Sequence, residues 1–306
     1  MKNKPHKLIT ILGCTATGKT QLATNLAAVH NGEIISADSR QVFRGMDIGT
    51  GKDLDDYVVN KKQVPYHLID IADAGSEYSL FQFQKDFIKA FDQIITKGKT
   101  PILCGGTGLY LNSVFKKYFI PDVPKDDAFR KTLSRKTDED LINMLQSYGP
   151  LHNKTDITER ERLIRAIEIN EYKKRQGNTA DDFPNIEHHI FGIQLPREIV
   201  RERITQRLKM RLENGMIEEV KRILDSGMSA ERLMHYGLEY RYVTQFVCGE
   251  ISYEEMFRLL NIAIHQFAKR QMTWFRKMER QGVNIKWIDG DLRIEEKTKF
   301  ILSDFD

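Results

Sequence analysis

The stretch that most constrains the fold of this chain is Gly13-Cys14-Thr15-Ala16-Thr17-Gly18-Lys19-Thr20, which fits the phosphate-binding pattern G-x-x-x-x-G-K-[ST]. The apolar, β-branched run Lys7–Leu12 precedes it and predicts a buried strand. The Ala- and Leu-rich run Gln21–Val29 follows it, stops at Asn31-Gly32 and predicts a helix. A strand, a glycine-bearing turn and a helix in this order predict an α/β fold with a parallel sheet and a P-loop.

The residue types in this loop suit the binding of a phosphate group. Gly13 and Gly18 let the backbone turn so that successive N–H groups face an anion. The start of the following helix adds a partial positive charge. Lys19 supplies a full positive charge, and the Thr20 hydroxyl is a candidate ligand for Mg²⁺.

Composition restricts the classes of protein that this chain can belong to. Of its 306 residues 41% are hydrophobic and 29% charged, the balance of a globular protein, and no apolar run reaches the ~20 residues of a membrane span. The short polar start, Met1–Lys7, does not resemble a signal peptide, so we expect a cytoplasmic protein. Three widely spaced cysteines form no zinc pattern, and the net charge of +4 is compatible with a nucleic-acid partner.

Two further loops follow predicted strands, where parallel sheets carry their functional groups. Asp38 comes directly after the predicted strand Glu33–Ser36, and Thr107 follows the strand Thr100–Cys104 and two glycines. Each residue has a structural alternative, since Asp38 could cap a short helix and Thr107 could cap the helix after a plain turn. The next elements predicted between them are a strand at Tyr66–Ile71 and a helix at Tyr78–Lys97.

The pattern changes after Pro121-Asp122-Val123-Pro124, because residues 126–176 are charged and helical with little strand signal. This predicts a first part of the P-loop core at 1–122, an inserted helical subdomain at 123–184, and core completion with C-terminal helices at 185–306. Arg160, Arg162 and Arg165 in the insertion could contact nucleic acid or form a solvated helix face.

The last part of the chain contains a predicted strand at His188–Leu195 and a long helix opened by Pro196. Arg203 and Arg207 share one face of this helix and could clamp a phosphate group or lie in solvent. The stretch Ala268–Lys277 interleaves basic residues with two aromatic ones. It could grip RNA, or it could cover a core with its aromatic side chains. A short strand is predicted at Asn284–Ile288.

The order and spacing of these segments resemble the bacterial tRNA dimethylallyltransferases, also called tRNA isopentenyltransferases, over most of the chain. The matching segments are Gly13–Thr20, Ile34–Gln41, Gly45–Thr50, Gly105–Tyr110, Arg162–Ala166, Arg203–Arg207, Gly215–Val220, Gly249–Ser252, Ala268–Gln271 and Thr273–Arg276.

The resemblance implies transfer of a dimethylallyl group from dimethylallyl diphosphate to N6 of adenosine 37 of tRNA, with Mg²⁺, by a monomeric enzyme. It implies that Asp38 accepts the N6 proton and that Thr107 and Arg207 touch the reacting groups. The P-loop with Lys19 would hold diphosphate, and Thr20 would hold Mg²⁺. The implied tRNA contacts are Asp38, Ser39, Arg40, Gln41, Thr107, Arg130, Glu161, Arg162, Leu163, Ile164 and Arg165.

The chain departs from the family pattern at several places, among them Thr17, where the family often has serine. Cys14 stands where the family usually has proline, which would make the loop sensitive to oxidation, and Glu239-Tyr240-Arg241 replaces a Gly-Tyr-basic sequence. Three other functions remain open from the residues alone. They are an adenylate isopentenyltransferase acting on a free nucleotide, a P-loop small-molecule kinase, and an RNA-binding protein whose P-loop senses a nucleotide.

Overall fold

The computed structural model of the chain describes residues 5–116, 123–149, 159–176 and 183–305. The backbone divides into two compact units. The core unit consists of Met1–Tyr118 and Phe183–Asp306, and the inserted unit consists of Phe119–Asp182. The insertion expected from the sequence, 123–184, differs from the second unit by a few residues at each end.

The core unit contains a six-stranded sheet whose neighbouring strands are all parallel, as the P-loop context predicts. The order across the sheet is β5-β2-β6-β1-β7-β8, and β3 and β4 form a separate antiparallel hairpin. In chain order the strands are β1 (His6–Gly13), β2 (Gly32–Ser36), β3 (Val58–Val59), β4 (Lys62–Gln63), β5 (Tyr66–His67), β6 (Thr100–Gly105), β7 (Ile186–Gln194) and β8 (Lys286–Asp289).

Strand β1 lies inside the sheet and is buried on both faces. Leu8, Ile9, Ile11 and Leu12 are all fully buried, which is the pattern of a parallel strand covered from both sides. The strand pairs with β6 on one side and β7 on the other. The P-loop after Gly13 therefore leaves the middle of the carboxyl edge of the sheet, where β2 and β6 also end.

The described helices carry most of the remaining chain, and none of them is both long and apolar enough to cross a membrane. A 3₁₀ turn occupies Leu54–Tyr57. In chain order the helices are α1 (Lys19–Val29), α2 (Leu80–Thr96), α3 (Gly108–Phe115), α4 (Asp127–Leu133), α5 (Asp138–Ser147), α6 (Arg160–Gln176), α7 (Arg197–Glu213), α8 (Met216–Asp225), α9 (Ala230–Met234), α10 (Leu238–Val247), α11 (Tyr253–Arg280) and α12 (Ile294–Phe305).

Helices cover both faces of the sheet in the core unit. Leu12 and Leu103 pack in a cluster with residues of α2, α3 and α11. Ile11 and Ile102 pack in a second cluster with residues of α1 and α12. A third cluster joins α7, α8, α10 and α11 and includes Cys14, so it fixes α7 and α11 beside the P-loop.

Two predicted elements differ from the observed ones, and one observed helix was not predicted. The strand predicted at Tyr66–Ile71 ends at His67, because Leu68 and Asp70 have φ values of 64° and 54°, outside the range of a strand. Pro196 precedes α7 as its cap and is not its first helical residue. Helix α12 was not predicted from the sequence.

The inserted unit contains α4, α5 and α6, in agreement with the helical character predicted for residues 126–176 where they are described. Its small apolar core consists of Leu133, Leu141, Leu145, Leu163 and Ile167. The expected boundary at 121–124 and the loop expected at 177–184 lie partly outside the described residues.

Candidate active site

The P-loop passes from β1 to α1 through a left-handed turn. Gly18 has a φ of 82° and immediately precedes α1, and Ala16 has a φ of 66°. Gly18 adopts this conformation without steric cost because it has no Cβ atom, and Ala16 is one of the few described residues other than glycine that adopt it. No side chain caps α1, so the N–H groups at its start remain available to an anion.

The side chain of Lys19 folds back onto the P-loop, where it is predicted to bind phosphate. Its Nζ donates to the carbonyl oxygen of Cys14 at 2.7 Å, and the Thr17 hydroxyl donates to the same oxygen at 2.9 Å. Burial lowers the pKa of Lys19. An incoming phosphate group would compete with one carbonyl oxygen for this ammonium group, and an anion is the stronger acceptor.

Gln271 on α11 connects the P-loop to a second strand end. Its Oε1 accepts the backbone N–H of Thr15 at 2.8 Å, and its Nε2 donates to the carbonyl oxygen of Gly106 at 3.0 Å. A Cβ atom at Gly106 would lie 2.4 Å from this Nε2, so any larger residue there would displace the Gln271 amide group. The sequence reasoning did not give Gln271 a role, although it belongs to the matching segment Ala268–Gln271.

Asp38 is placed at the carboxyl end of β2 and faces the P-loop cleft. Its Oδ1 accepts the backbone N–H of Arg40 at 2.9 Å. No described helix begins here before the 3₁₀ turn at Leu54–Tyr57, so the helix-cap alternative for Asp38 is wrong. The hydrogen bond instead fixes a half-buried carboxylate at the edge of the cleft.

Thr107 joins the loops that follow β2 and β6. It occupies the cap position of α3 without capping it, because its Oγ1 accepts the backbone N–H of Ser39 at 3.1 Å. Gly105 comes so close to the first loop that a Cβ atom there would lie 2.3 Å from the carbonyl oxygen of Ala37. The alternative of a plain helix cap is therefore wrong, and Thr107 and Asp38 line the same cleft.

Arg207 on α7 points at the P-loop, where its Nη2 donates to the hydroxyl of Thr15. Burial, with a further contribution from neighbouring Arg211, lowers the pKa of Arg207 to about 10. The guanidinium group therefore stays charged near neutral pH. Arg211 pairs with Asp53 at 3.3 Å, so this part of the helix is not the freely solvated basic face that spacing alone allows.

These groups converge on one cleft of about 600 Å³ at the carboxyl edge of the sheet. Ser39 and Gln41 line it beside Asp38, and Gln41 is held by the Ser36 hydroxyl at 3.2 Å and the Gly51 carbonyl oxygen at 3.0 Å. The cleft thus brings together an anion-binding loop, two cations and a carboxylate.

Arg40 closes one side of the cleft through contacts with α10 and α11. It pairs with Glu239 at 3.1 Å and lies 5.2 Å from the ring centre of Phe267. A Cβ atom at Gly237 would come within 2.7 Å of this guanidinium group. Glu239, which departs from the family pattern, consequently orients a predicted tRNA-contacting arginine.

The two aromatic residues of the stretch Ala268–Lys277 have different environments. Phe275 is fully buried in the core, whereas Trp274 lines the cleft and packs on Gly108 at the start of α3. Lys277 lies 5.1 Å above the Trp274 ring. Of the two interpretations of this stretch, the core one holds for Phe275, while Trp274 borders the site.

Comparison with known protein families identifies the group to which this architecture belongs. A family model described as IPP transferase matches residues 41–278, and a model described as Isopentenyl transferase matches residues 6–70. The first match covers more than half of the chain. The chain belongs to the IPP transferase family.

Individual relatives agree with the family match. The chain is 55% identical to tRNA dimethylallyltransferase 2 of Phocaeicola vulgatus, over 97% of each protein. It is 54% identical to tRNA dimethylallyltransferase 1 of Parabacteroides distasonis, over 96% of each protein. The resemblance stated from the sequence is thereby confirmed.

Solved structures of similar proteins match the fold of this chain over 98% of its length. The full-length tRNA isopentenylpyrophosphate transferase of Bacillus halodurans superposes with a TM-score of 0.70 at 31% identity, covering 98% of this chain and 95% of that one. A eukaryotic dimethylallyltransferase acting on tRNA has a TM-score of 0.70 at 23% identity, covering 98% of this chain and 79% of that one. The second likeness concerns the fold alone.

Cys14 in the P-loop is buried, which bears on its expected sensitivity to oxidation. The residue is only 5% exposed, and burial raises the pKa of its thiol above the usual value. The thiolate is the form that oxidants attack, so a raised pKa disfavours oxidation. The structure does not favour the expected sensitivity of the loop to oxidation.

The inserted unit holds two of its predicted tRNA-contacting arginines by internal hydrogen bonds. Arg130 donates to Glu168 at 2.8 Å, and Arg165 donates to the same carboxylate and to the carbonyl oxygen of Val123 at 2.7 Å. Burial alone would raise the pKa of Glu168, but these hydrogen bonds outweigh it and lower the pKa to about 2. Both arginines therefore have a structural role whatever else they contact.

The other predicted contacts in α6 differ in exposure. Leu163 is 1% exposed in the core of the unit, and Ile164 packs against that core, so neither offers a free side chain. Glu161 is exposed, and so is Arg162, which pairs with Glu159 at 2.9 Å. Of these two exposed side chains, only Arg162 carries the positive charge that attracts an RNA backbone.

Proposed function

We propose that this protein transfers the dimethylallyl group of dimethylallyl diphosphate to N6 of the adenosine at position 37 of tRNA, with release of diphosphate. The observation that carries the proposal is the single cleft in which the P-loop, Arg207 and the Asp38 carboxylate meet. Prenyl transfer needs a site for a diphosphate leaving group and an acceptor for a proton. The curated relatives are named for the same reaction class.

The P-loop side of the cleft would stabilise the leaving group. As the bond between the allylic carbon and the diphosphate oxygen breaks, the bonding electron pair leaves with the diphosphate. Lys19, Arg207 and the free N–H groups at the start of α1 lie where they would neutralise this charge. Donors that are already in position need no reorganisation during the reaction, which favours the transition state.

Magnesium fits the donor atoms of this cleft. The Thr20 hydroxyl and the carboxylates of Asp38, Asp53 and Asp56 line it, and oxygen ligands are the ones that Mg²⁺ prefers. Among the described residues no group of three or more His, Cys, Asp or Glu side chains could hold a metal alone. We therefore propose that Thr20 holds an ion shared with the diphosphate, which would offset the negative charge of the leaving group.

The acceptor side of the cleft would handle the proton. The N6 amino group forms a bond to the allylic carbon and must lose a proton to become neutral. Asp38 would accept that proton, because its carboxylate faces the cleft and is oriented by the N–H of Arg40. Thr107 lies beside it, with its hydroxyl bonded to the loop that carries Asp38.

The adenosine would have to leave the stack of the anticodon loop to reach this cleft, as enzymes that modify bases generally require. Phe267 and Trp274 border the cleft and offer aromatic surface to an extruded base. We further propose that the protein works as a monomer in the cytoplasm, a reducing compartment that suits its three free cysteines.

The substitution Asp38→Asn tests the proton-acceptor role and separates an enzyme from an RNA-binding protein. The amide keeps the shape of the carboxylate but cannot take a proton, so we expect transfer to fall by about 10²–10⁴-fold. Binding of tRNA should change little, as measured by filter binding next to a prenyl-transfer assay. Full transfer by the variant would remove Asp38 from the mechanism, and loss of tRNA binding would make it a binding residue.

A further inference from the structure

The matching segments Gly45–Thr50 and Gly215–Val220 meet at the buried carboxylate of Glu219. Glu219 on α8 is 4% exposed. Its Oε2 accepts the backbone N–H groups of Asp47 at 2.9 Å and Ile48 at 2.8 Å. Its Oε1 accepts the N–H of Gly49 at 3.0 Å and the hydroxyl of Tyr240 at 2.7 Å.

Residues 47–49 form an anion-binding turn in which the Glu219 carboxylate takes the place of a bound anion. Successive N–H groups that point to one side of a turn usually bind a phosphate or a sulfate ion. Here they bind the side chain of Glu219, and the ring of Tyr240 covers the turn so closely that a Cβ atom at Gly49 would lie 2.6 Å from it. The charge of the carboxylate strengthens all of these hydrogen bonds.

The segment held in this way, residues 47–53, forms part of the wall of the cleft. Thr50, Gly51 and Asp53 line the cleft itself. The carbonyl oxygen of Gly51 accepts the Nε2 of Gln41 at 3.0 Å. The segment therefore sets the orientation of a side chain three residues after Asp38.

The same segment also fixes the cations beside the P-loop. Gly51 lies against Arg211 so closely that a Cβ atom there would be 2.3 Å from its Nη2, and Asp53 pairs with that guanidinium group at 3.3 Å. Arg211 is in turn the charged neighbour that lowers the pKa of Arg207. A displacement of the segment would thus shift Arg211 and change the charge next to Arg207.

We infer that Glu219 is a positioning residue for this cleft. By gathering three N–H groups on one carboxylate, it holds residues 47–53 so that Arg211 stays paired with Asp53 and Arg207 is directed at the diphosphate. The identity of the ligand, diphosphate, rests on the proposed function, whereas the contacts of Glu219 do not depend on it. It gives the Gly45–Thr50 and Gly215–Val220 segments a common purpose, since one supplies the N–H groups and the other the carboxylate.

The substitution Glu219→Gln tests this role with little change of shape. An amide has one oxygen in place of two and carries no charge, so at least one N–H group loses its acceptor. The matched control is Glu218→Gln, on the same helix, where the side chain is exposed. Tyr240→Phe removes only the hydroxyl group that donates to Glu219. If Glu219→Gln does not fold, Tyr240→Phe tests whether Glu219 positions the cleft.

Three quantities are measured for each variant: the affinity for inorganic diphosphate by calorimetry, the KM and kcat for dimethylallyl diphosphate, and the Kd for tRNA. When the groups that position the donor move by a fraction of an ångström to 1 Å, the kcat/KM for dimethylallyl diphosphate falls by about ten- to hundred-fold. For Glu219→Gln we expect a loss of this size together with weaker diphosphate binding, while the Kd for tRNA stays within about two-fold of the wild type. Tyr240→Phe should show a smaller change in the same direction, and Glu218→Gln should match the wild type.

A merely structural role would lower the melting temperature of Glu219→Gln and leave its diphosphate affinity equal to that of Glu218→Gln, which would overturn the inference. Failure of the proposed function has a different signature. The wild type would then bind diphosphate but transfer no dimethylallyl group to tRNA. In that case the diphosphate affinities of Glu219→Gln and Glu218→Gln still decide whether Glu219 positions the cations.

Discussion

Arg207 illustrates how a single residue gains its role from its surroundings. Spacing on α7 permits both a phosphate clamp and a solvated face, and only the fold shows that the guanidinium group reaches Thr15 of the P-loop. With a pKa of about 10 it is still charged at pH 7. The pairing of Arg211 with Asp53 leaves Arg207 as the cation directed at the loop.

We expect Arg207→Lys to lower kcat/KM for dimethylallyl diphosphate by about 10²-fold, although the charge is conserved. A lysine ammonium group cannot reproduce the planar, bidentate hydrogen bonding of a guanidinium group to a phosphate. The matched control is Arg201→Lys, an exposed position on the same helix. Steady-state kinetics at varied donor concentration measure the effect, and equal values for both variants would exclude Arg207 from the donor site.

The sequence allowed the prediction of those site residues that belong to a local pattern. Lys19, Asp38 and Thr107 each follow a strand end, so a parallel sheet necessarily places them at one edge. Gln271 and Glu219 could not be predicted, because they lie inside helices and their backbone partners are more than 160 positions away in the chain. Only the folded chain brings such partners together.

At the scale of elements, the short strand β2 depends on a buried charge. Glu33 is 1% exposed and accepts hydrogen bonds from Lys99 at 2.8 Å, His67 at 2.8 Å and Lys97 at 3.1 Å. Burial alone would raise the pKa of Glu33, but these hydrogen bonds lower it to about 2. The carboxylate thereby ties β2 to β5 and to the segment between α2 and β6.

This lowered pKa predicts how stability depends on pH. A carboxylate whose pKa is lower in the folded protein than in the unfolded chain stabilises the fold fully at pH values above the unfolded pKa, here near 4.5. This stabilisation is lost as the pH falls toward the folded pKa of about 2. We expect Glu33→Gln to lower the free energy of unfolding at pH 7 by at most about 3 kcal/mol, and the difference from the wild type to shrink between about pH 4.5 and 2.

Urea unfolding at several pH values measures this difference. Asp92→Asn is the control, since Asp92 is an exposed carboxylate on α2. A difference between Glu33→Gln and the wild type that stays constant from pH 7 to pH 2 would contradict the account of Glu33.

Element boundaries were predicted less well than element types. The strand that becomes β5 was expected to continue to Ile71, but the positive φ values of Leu68 and Asp70 end it early. Nothing in the alternation of apolar residues signals such a turn, because Leu and Asp also occur inside strands. The long elements β1, β7, α1 and α2 were predicted to within a few residues because their apolar patterns are continuous.

At the scale of the whole molecule, a net charge of +4 is modest for a protein that would bind tRNA. Affinity for RNA should therefore depend on a small number of well-placed cations and should fall as salt rises. Arg162 is such a candidate, because it is exposed and pairs only at the surface with Glu159. Arg165 is less suited, since Glu168 and the Val123 carbonyl oxygen hold it.

We expect Arg162→Ala to reduce the slope of log affinity for tRNA against log salt by about one. Diphosphate binding should stay unchanged. Arg175→Ala is the matched control, because Arg175 forms a similar surface ion pair with Glu171 at the other end of α6. Titrations at four or more salt concentrations provide the slopes, and a wild-type slope for Arg162→Ala would place this residue outside the RNA interface.

The central claim is that one cleft binds dimethylallyl diphosphate next to an adenosine of tRNA and transfers the dimethylallyl group to it, with release of diphosphate. It is tested most directly by incubating the protein with dimethylallyl diphosphate and Mg²⁺, offering unmodified tRNA and free AMP in separate reactions, and identifying the products by mass. A gain of one isopentenyl unit on tRNA alone is the predicted result. A gain on AMP alone, or consumption of added ATP with no gain on either acceptor, would contradict the claim.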